Sequence, residues 1–145
     1  MAETVSLRQE RDYVFVNDFG AAGEIRTDEA PPLGGGSGPT PVQLLEAAVG
    51  NCLAASLLFA LRKFKQSPEP IRARVEAEVG RNEQKRLRVL RLKARLDLGV
   101  PAASLGEHLG KALAQFEDFC TVTASVRAAL PVDVEVYDAG GTKLK

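Results

Sequence analysis

Residues 40–64 read TPVQLLEAAVGNCLAASLLFALRKF, and this segment decides the fold. Thr40 is suited to an N-cap, Pro41 fits a first helical turn, and Gln43 completes a capping box three residues after Thr40. The pattern therefore predicts a helix that begins at Pro41 and ends near Phe64.

The predicted helix is apolar on nearly every side. Between positions 42 and 61 the only polar residues are Gln43, Glu46, Asn51 and Ser56. At 1.5 Å per residue the helix is about 36 Å long. That is close to the full diameter of a compact chain of this length, whose radius of gyration is about 15 Å. We therefore expect a central helix that is sheathed by sheet and partly covered by a second subunit.

A membrane-spanning helix would have a similar length and a basic flank such as Arg62 and Lys63. The polar residues Glu46 and Asn51 would be costly in lipid, and the rest of the chain has the patterns of a soluble protein. The sequence favours a buried helix, and no membrane partner is expected.

Short strands are predicted before the helix. Alternating segments at 4–10, 13–17 and 23–27 predict a small antiparallel meander. The segment APPLGGGSGP at 30–39 is rich in proline and glycine, which predicts a mobile loop that leads into the helix.

After the helix, the alternation of Ile71–Val79 predicts a strand that pairs with a second strand near 87–98. The apolar phase changes near Val89 and Leu90, which indicates a β-bulge. Further along the chain we expect a helix that opens at Pro101, a break at Cys120 followed by a helical piece through Arg127, a strand over Pro131–Tyr137 and a loose tail at 140–145. The prediction is one α+β domain, 1–145, with antiparallel sheets around a central buried helix.

Composition excludes several classes of function. Lys and Arg total 19 and so do Asp and Glu, so no nucleic acid is expected as a partner. The basic hairpin over 72–95 lacks the interleaved aromatic residues that stack on single strands, which favours a solvated strand face. His108 is the only histidine and no metal-ligand spacing is present, so neither a metal nor a cofactor is expected. The first residues lack a secretory pattern, which predicts a cytoplasmic protein.

The two cysteines, Cys52 and Cys120, are the candidates for chemistry. Cytosolic reductants keep thiols reduced unless they are catalytic or sensing, which argues against a structural disulfide. By position alone, Cys52 in an apolar helix fits a small packing residue better than a reactive one. Cys120, which follows Phe119, leaves the same two readings open.

Two motifs resemble one known family. GPTPVQLLEAAVGNC at 38–52 and FCTVTASVR at 119–127 resemble the two cysteine motifs of the OsmC/Ohr family, the osmotically induced and organic hydroperoxide resistance proteins. The predicted order of strands, central helix, hairpin, helix and strand is also similar. The resemblance implies an intertwined homodimer in which sheets wrap two central helices and the active sites lie at the subunit interface.

The resemblance also implies a thiol peroxidase. Cys52 would be the peroxidatic cysteine, acting on organic hydroperoxides or hydrogen peroxide, and Cys120 the resolving cysteine. An external dithiol would reduce the disulfide that results. A nearby arginine is expected to ionise Cys52; Arg26 is the first candidate, followed by Arg8 and Arg11.

The chain departs from the family pattern at two positions. Hydroperoxide-reducing members resemble one another in a glutamate directly after the helix-opening proline, where this chain has Val42. Glu46 lies one turn further on and could replace it by holding an arginine, or it could cap a buried polar network. Thr121 stands where many relatives have proline. The alternative function is a family member that binds a small apolar ligand or senses redox state.

Overall fold

The computed structural model describes residues 3–145, which fall into two units that divide within the long helix at Leu45 and Glu46. The N-terminal unit contains β1 (Ser6–Arg11), β2 (Val14–Asp18), β3 (Glu24–Thr27) and the start of α1 (Pro41–Lys63). The C-terminal unit contains the rest of α1, β4 (Arg72–Arg81), β5 (Leu87–Asp97), α2 (Leu109–Gln115), α3 (Thr121–Arg127) and β6 (Val132–Tyr137). This is the α+β class that the sequence predicts.

In the N-terminal unit the three strands form the predicted antiparallel meander, in the order β1-β2-β3. Val14 and Val16 are buried. Asn17 is buried beside them, and its side-chain amide donates to the Ile25 carbonyl and the Thr27 hydroxyl. A buried polar group is tolerated there because its hydrogen bonds are made.

The loop at 30–39 is organised around Asp28. The buried Asp28 carboxylate accepts hydrogen bonds from the backbone amides of Glu29, Gly35 and Ser37 and from the Ser37 hydroxyl. These four donors hold the pKa of Asp28 below its usual value, the Ser37 amide contributing most. The segment predicted as a mobile loop is irregular, but one carboxylate fixes its path.

The start of α1 is the predicted capping box. The Thr40 amide donates to Gln43 Oε1 at 2.9 Å, and the Gln43 amide donates to Thr40 Oγ1 at 3.2 Å. Two donors that would lack partners at a helix N-terminus are thereby satisfied. The predicted starting residue, Pro41, is therefore confirmed.

In the C-terminal unit the strand order is β4-β5-β6. β4 and β5 form the predicted antiparallel hairpin, and the register shifts between Glu78 and Val79 so that Leu90 has no partner, which confirms the bulge. β6 pairs with β5 in parallel, so the prediction of purely antiparallel sheets is wrong for this strand. The physical reason is the connection: the segment between β5 and β6 contains α2 and α3, and a helical crossover returns the chain in the same direction.

The helix predicted from Pro101 begins later. Ala102–Ser104 forms one 3-10 turn, Leu105 is extended with ψ of 140°, and α2 starts only at Leu109. Gly106 follows Leu105, and glycine has a low helix propensity, which favours a break at this point. The second break is as predicted: Cys120 is extended between the 3-10 turn Phe116–Phe119 and α3.

The apolar face of α1 is only partly covered within one chain. By length and mean hydropathy, 1.8, the helix could cross a membrane, yet 39% of its most apolar stretch is buried in the protein. The fully buried stripe repeats at helical spacing, at Val49, Leu53, Leu57 and Leu61. The opposite side is exposed at Ala47, Ala48, Ala55 and Phe59. α1 is a core helix that one chain covers only in part, and its cover by a second subunit remains a prediction.

The end of the sequence also differs from the prediction. The Asp138 carboxylate accepts hydrogen bonds from the backbone amides of Gly140 and Thr142. The backbone of Lys143 forms an antiparallel β-bridge with that of Tyr137. The Leu144 amide donates to Val136 in β6. Where the sequence predicts a loose tail, the structure has a turn that returns to β6.

Candidate active site

The two thiols lie together in the C-terminal unit. Cys52 is half-buried in the middle of α1, and Cys120 is fully buried at the break before α3. Both are free thiols, and each lies close enough to the other to shift its pKa. Folding thus brings together the two residues that carry the predicted chemistry.

The surroundings of Cys52 favour its thiolate. Burial alone would raise its pKa, because an ion is poorly solvated in the protein interior. The opposing hydrogen bonds, from the Cys120 side chain, the backbone amides of Val122 and Thr123 and the Ser56 side chain, prevail and lower the pKa of Cys52 below that of an ordinary cysteine. The two amides belong to the first turn of α3, where amides have no partner within the helix.

Cys120 is affected in the opposite direction. Burial raises the pKa of its thiol, and the neighbouring Cys52 raises it further, because two adjacent thiolates would repel each other. Its sulfur lies 2.9 Å from Thr123 Oγ1, and Thr123 is itself fully buried. The site therefore contains one thiol whose pKa is lowered beside one whose pKa is raised.

An exposed aromatic pair lies next to this site. Phe59 is on the same face of α1 as Cys52, two turns further on. It contacts Phe119, the residue before Cys120, edge to face at 5.3 Å between ring centroids. The exposed fractions are 57% for Phe59 and 44% for Phe119. An apolar surface is thus present beside the thiols.

Glu46 is engaged by backbone. Its Oε1 accepts a hydrogen bond of 2.8 Å from the Ala77 amide in β4. β4 is an edge strand of its sheet, so alternate amides on it lack a partner in the sheet. Within residues 46–145, Glu46 forms no salt bridge with an arginine. Its catalytic role remains a prediction, and its observed contact fits the capping alternative.

The three candidate arginines are all in ion pairs of the N-terminal unit. Arg26 contacts Glu10 through Nε at 2.7 Å and a second nitrogen at 3.0 Å. Arg8 contacts Glu24 at 2.8 Å, and Arg11 lies 3.9 Å from Glu10. That one of them activates Cys52 remains a prediction.

The sequence analysis did not identify Ser56 or Thr123 as site residues. Ser56 follows Cys52 by four residues, the spacing that places two side chains side by side on a helix. It is also the only polar residue between Cys52 and Leu61. A polar residue at that spacing in an apolar helix was the available signal. In residues 3–145 no three His, Cys, Asp or Glu side chains come together as metal ligands would.

Known proteins share this architecture. A hypothetical protein from Aquifex aeolicus VF5 is 20% identical, with a TM-score of 0.75 over 95% of this chain and 96% of its own. An OsmC-like protein of unknown function from Vibrio cholerae is 18% identical, with a TM-score of 0.77 and coverage of 94% and 99%. The organic hydroperoxide resistance protein OhrB of Bacillus subtilis is 16% identical, with a TM-score of 0.70 and coverage of 94% and 98%.

These structural similarities establish the fold, and the family is shown by the sequence. No curated protein matches this chain in sequence. The sequence profile of OsmC-like proteins, however, matches residues 34–135, which include both cysteines and all of α1. The chain therefore belongs to the OsmC-like protein family.

Proposed function

We propose that the protein is a thiol peroxidase that reduces organic hydroperoxides or hydrogen peroxide in oxidative stress defence. The observation that carries the proposal is the pair of neighbouring free thiols, Cys52 and Cys120, whose pKa values are shifted in opposite directions. The family supports it, because its solved members include proteins named for organic hydroperoxide resistance.

In the first step the Cys52 thiolate attacks the outer peroxide oxygen. The O–O bond breaks, Cys52 becomes a sulfenic acid, and the alkoxide takes a proton and leaves as an alcohol. A thiol with a pKa of about 8.5 is only about 3% ionised at pH 7, so a lowered pKa raises the reactive fraction directly.

In the second step the Cys120 sulfur attacks the Cys52 sulfenic sulfur. The S–O bond breaks, a disulfide forms, and the Cys120 proton leaves with the hydroxide as water. An external dithiol then reduces the disulfide by thiol–disulfide exchange and is itself oxidised. The cycle uses only thiols of this chain, peroxide and that reductant.

The aromatic pair supports an organic substrate. Phe59 and Phe119 offer an exposed apolar surface beside the two cysteines. The alkyl or aryl part of a hydroperoxide gains about 25 cal/mol for each Å² that it buries there, a gain that hydrogen peroxide cannot obtain.

We further propose a cytoplasmic homodimer. α1 exposes apolar residues such as Phe59, and large apolar side chains are also exposed on both sheets, as at Leu7 and Leu87. Exposed apolar side chains of this kind are what a protein–protein interface buries, so a second copy would provide the missing cover.

A second candidate is a family member that senses redox state or binds a small apolar ligand. It is favoured by Val42, which replaces the usual acid, and by Glu46, whose carboxylate is occupied by the Ala77 amide. The same thiol pair would then be oxidised without rapid turnover.

The test is peroxide consumption with a dithiol reductant, using cumene hydroperoxide and hydrogen peroxide in parallel. We expect rapid turnover by the wild type, faster with cumene hydroperoxide, and turnover at the uncatalysed rate by Cys52→Ser. Ser125→Ala, an exposed hydroxyl in α3, is the matched control and should retain full activity. Equal rates for wild type and Cys52→Ser would refute the peroxidase. Slow stoichiometric disulfide formation without turnover would favour the sensor.

A further inference from the structure

A partly buried ion cluster lies next to the Cys120 break. Glu117 belongs to the 3-10 turn Phe116–Phe119, three residues before Cys120, and its side chain is 17% exposed. One carboxylate oxygen accepts from Arg127 at 2.6 Å, and the other accepts from Lys145 Nζ. We refer to Glu117, Arg127 and Lys145 as the Glu117 clamp.

Both cations of the clamp make further contacts. Arg127, the last residue of α3, also donates to the Val132 carbonyl at the start of β6. Lys145 donates to the Leu113 carbonyl at 3.0 Å and lies over the Phe116 ring at 4.8 Å. The clamp therefore ties the Cys120 segment to α2 and β6.

The clamp holds both ends of one short segment. Glu117 precedes Cys120 and Arg127 ends the helix that follows it, so a single carboxylate fixes residues 117–127 from both sides. The Cys120 amide also donates to the Glu117 carbonyl at 3.1 Å. Burial disfavours the Glu117 carboxylate, but the hydrogen bonds from Lys145 and Arg127 lower its pKa below the ordinary value. The carboxylate is therefore charged, and the clamp is closed, at neutral pH.

A second lysine–glutamate pair in the same region provides a contrast. Lys143 contacts Glu135 at 2.6 Å, with side chains 53% and 45% exposed, and neither side chain forms a hydrogen bond or ion pair with residues 117–127. Exposed pairs of this kind contribute little to stability. The Glu117 clamp is less exposed and joins residues on both sides of Cys120, so its contacts can restrain that segment.

We propose that the Glu117 clamp positions Cys120 for attack on oxidised Cys52, so that Glu117, Arg127 and Lys145 are positioning residues for disulfide formation. This inference rests on the proposed function. The step itself joins the Cys120 sulfur to the Cys52 sulfur and releases the sulfenic oxygen as water. The clamp contributes by keeping the two sulfurs near each other, which raises the effective concentration of one thiol at the other.

The first test needs no peroxide. The protein is equilibrated with buffers that contain oxidised and reduced dithiothreitol. The fraction of protein with the Cys52–Cys120 disulfide then gives the effective concentration of one thiol at the other. We expect Lys145→Met and Glu117→Gln to lower it about tenfold, the equivalent of about 1.4 kcal/mol. Lys145→Arg, which keeps the charge, should restore most of it. Lys143→Met and Glu135→Gln are the matched controls and should leave it unchanged.

The second test follows single turnover of peroxide. In Lys145→Met the rate of Cys52 oxidation should remain at the wild-type value, while disulfide formation slows about tenfold. Sulfinic acid at Cys52, measured by mass spectrometry, should rise because the sulfenic acid survives longer. If the substitution unfolded the site, the rate of Cys52 oxidation would fall as well.

The two possible failures are distinct. If the wild type does not reduce peroxide, the proposed function fails, whereas the dithiothreitol equilibrium still tests the clamp. If Lys145→Met and Glu117→Gln keep the wild-type effective concentration, or change it no more than Lys143→Met does, the positioning role is refuted.

Discussion

At the scale of single residues, the Cys52 thiolate is stabilised by neutral hydrogen-bond donors. The sequence resemblance implies a cationic partner, yet the hydrogen bonds that lower its pKa come from a thiol, two backbone amides and a hydroxyl. Neutral donors stabilise a thiolate because their partial positive charges point at it, and they keep this orientation when it ionises. The C-terminal unit by itself thus favours ionisation of Cys52.

This arrangement predicts a pH dependence. The thiolate is the reactive form, so alkylation by iodoacetamide speeds up as pH rises through the pKa and then levels off. A lowered pKa moves the whole curve of Cys52 to lower pH. We expect its midpoint below the value of about 8.5 for an ordinary cysteine, with Cys120 reacting only at higher pH. Peptide mapping by mass spectrometry assigns the two sites.

Two comparisons make this measurement decisive. The chain unfolded in urea supplies the unshifted curve, and Ser56→Ala removes one of the hydrogen bonds to Cys52. The Ser56→Ala curve should lie between the folded and unfolded curves. Coincidence of the folded and unfolded curves for Cys52 would contradict the account of its ionisation.

At the scale of elements, α1 approaches β4 closely through a glycine. A Cβ added at Gly50 would lie 3.0 Å from Val75 Cγ2. Valine is branched at Cβ and cannot easily turn away in a strand. Gly50 is therefore required by packing of helix against sheet, although glycine in a helix interior costs up to about 1 kcal/mol relative to alanine.

Leucine substitutions at two helical glycines should separate the effect of helix propensity from the effect of packing against a strand. Gly110 in α2 has open space around it, so Gly110→Leu should stabilise the fold by up to about 1 kcal/mol through helix propensity. Gly50→Leu should destabilise it by about 1–3 kcal/mol through overpacking. The midpoint of urea unfolding, at one fixed protein concentration, gives both values. Equal shifts at the two positions would contradict the close approach.

At the scale of the whole molecule, the exposed apolar surface points to a second copy. The far part of the β4–β5 hairpin exposes Val79 and Leu87, beyond the buried residues of β5. α1 likewise exposes apolar residues opposite its buried stripe. We expect these surfaces to be covered in an intertwined dimer.

The dimer can be tested in solution. Sedimentation equilibrium should give twice the mass of one chain for the wild type. Leu87→Glu places a charge on the expected interface and should shift the population towards monomer at micromolar concentration, because burying an unpaired charge is costly. Arg88→Glu, on the opposite face of the same strand, should remain dimeric. A monomeric wild type would refute the dimer.

Much of the fold could be predicted because it is encoded locally. The capping box at Thr40, the alternation of β4 and the loss of helical periodicity at Cys120 are each visible in a few consecutive residues, and the structure confirms all three. The parallel direction of β6 and the late start of α2 depend on how distant segments pack, and the local pattern did not reveal them.

The sequence by itself therefore determined the elements, their order, the family and the pair of cysteines, since hydrophobic period, capping residues and motifs act over short distances. Only the tertiary structure decided what surrounds those cysteines. The α3 amides reach Cys52, and Arg127 and Lys145 reach Glu117, only through folding, and Glu46 proves to be hydrogen-bonded to an edge strand. A pKa depends on atoms within a few ångströms in space, and the order of residues along the chain does not fix which atoms those are.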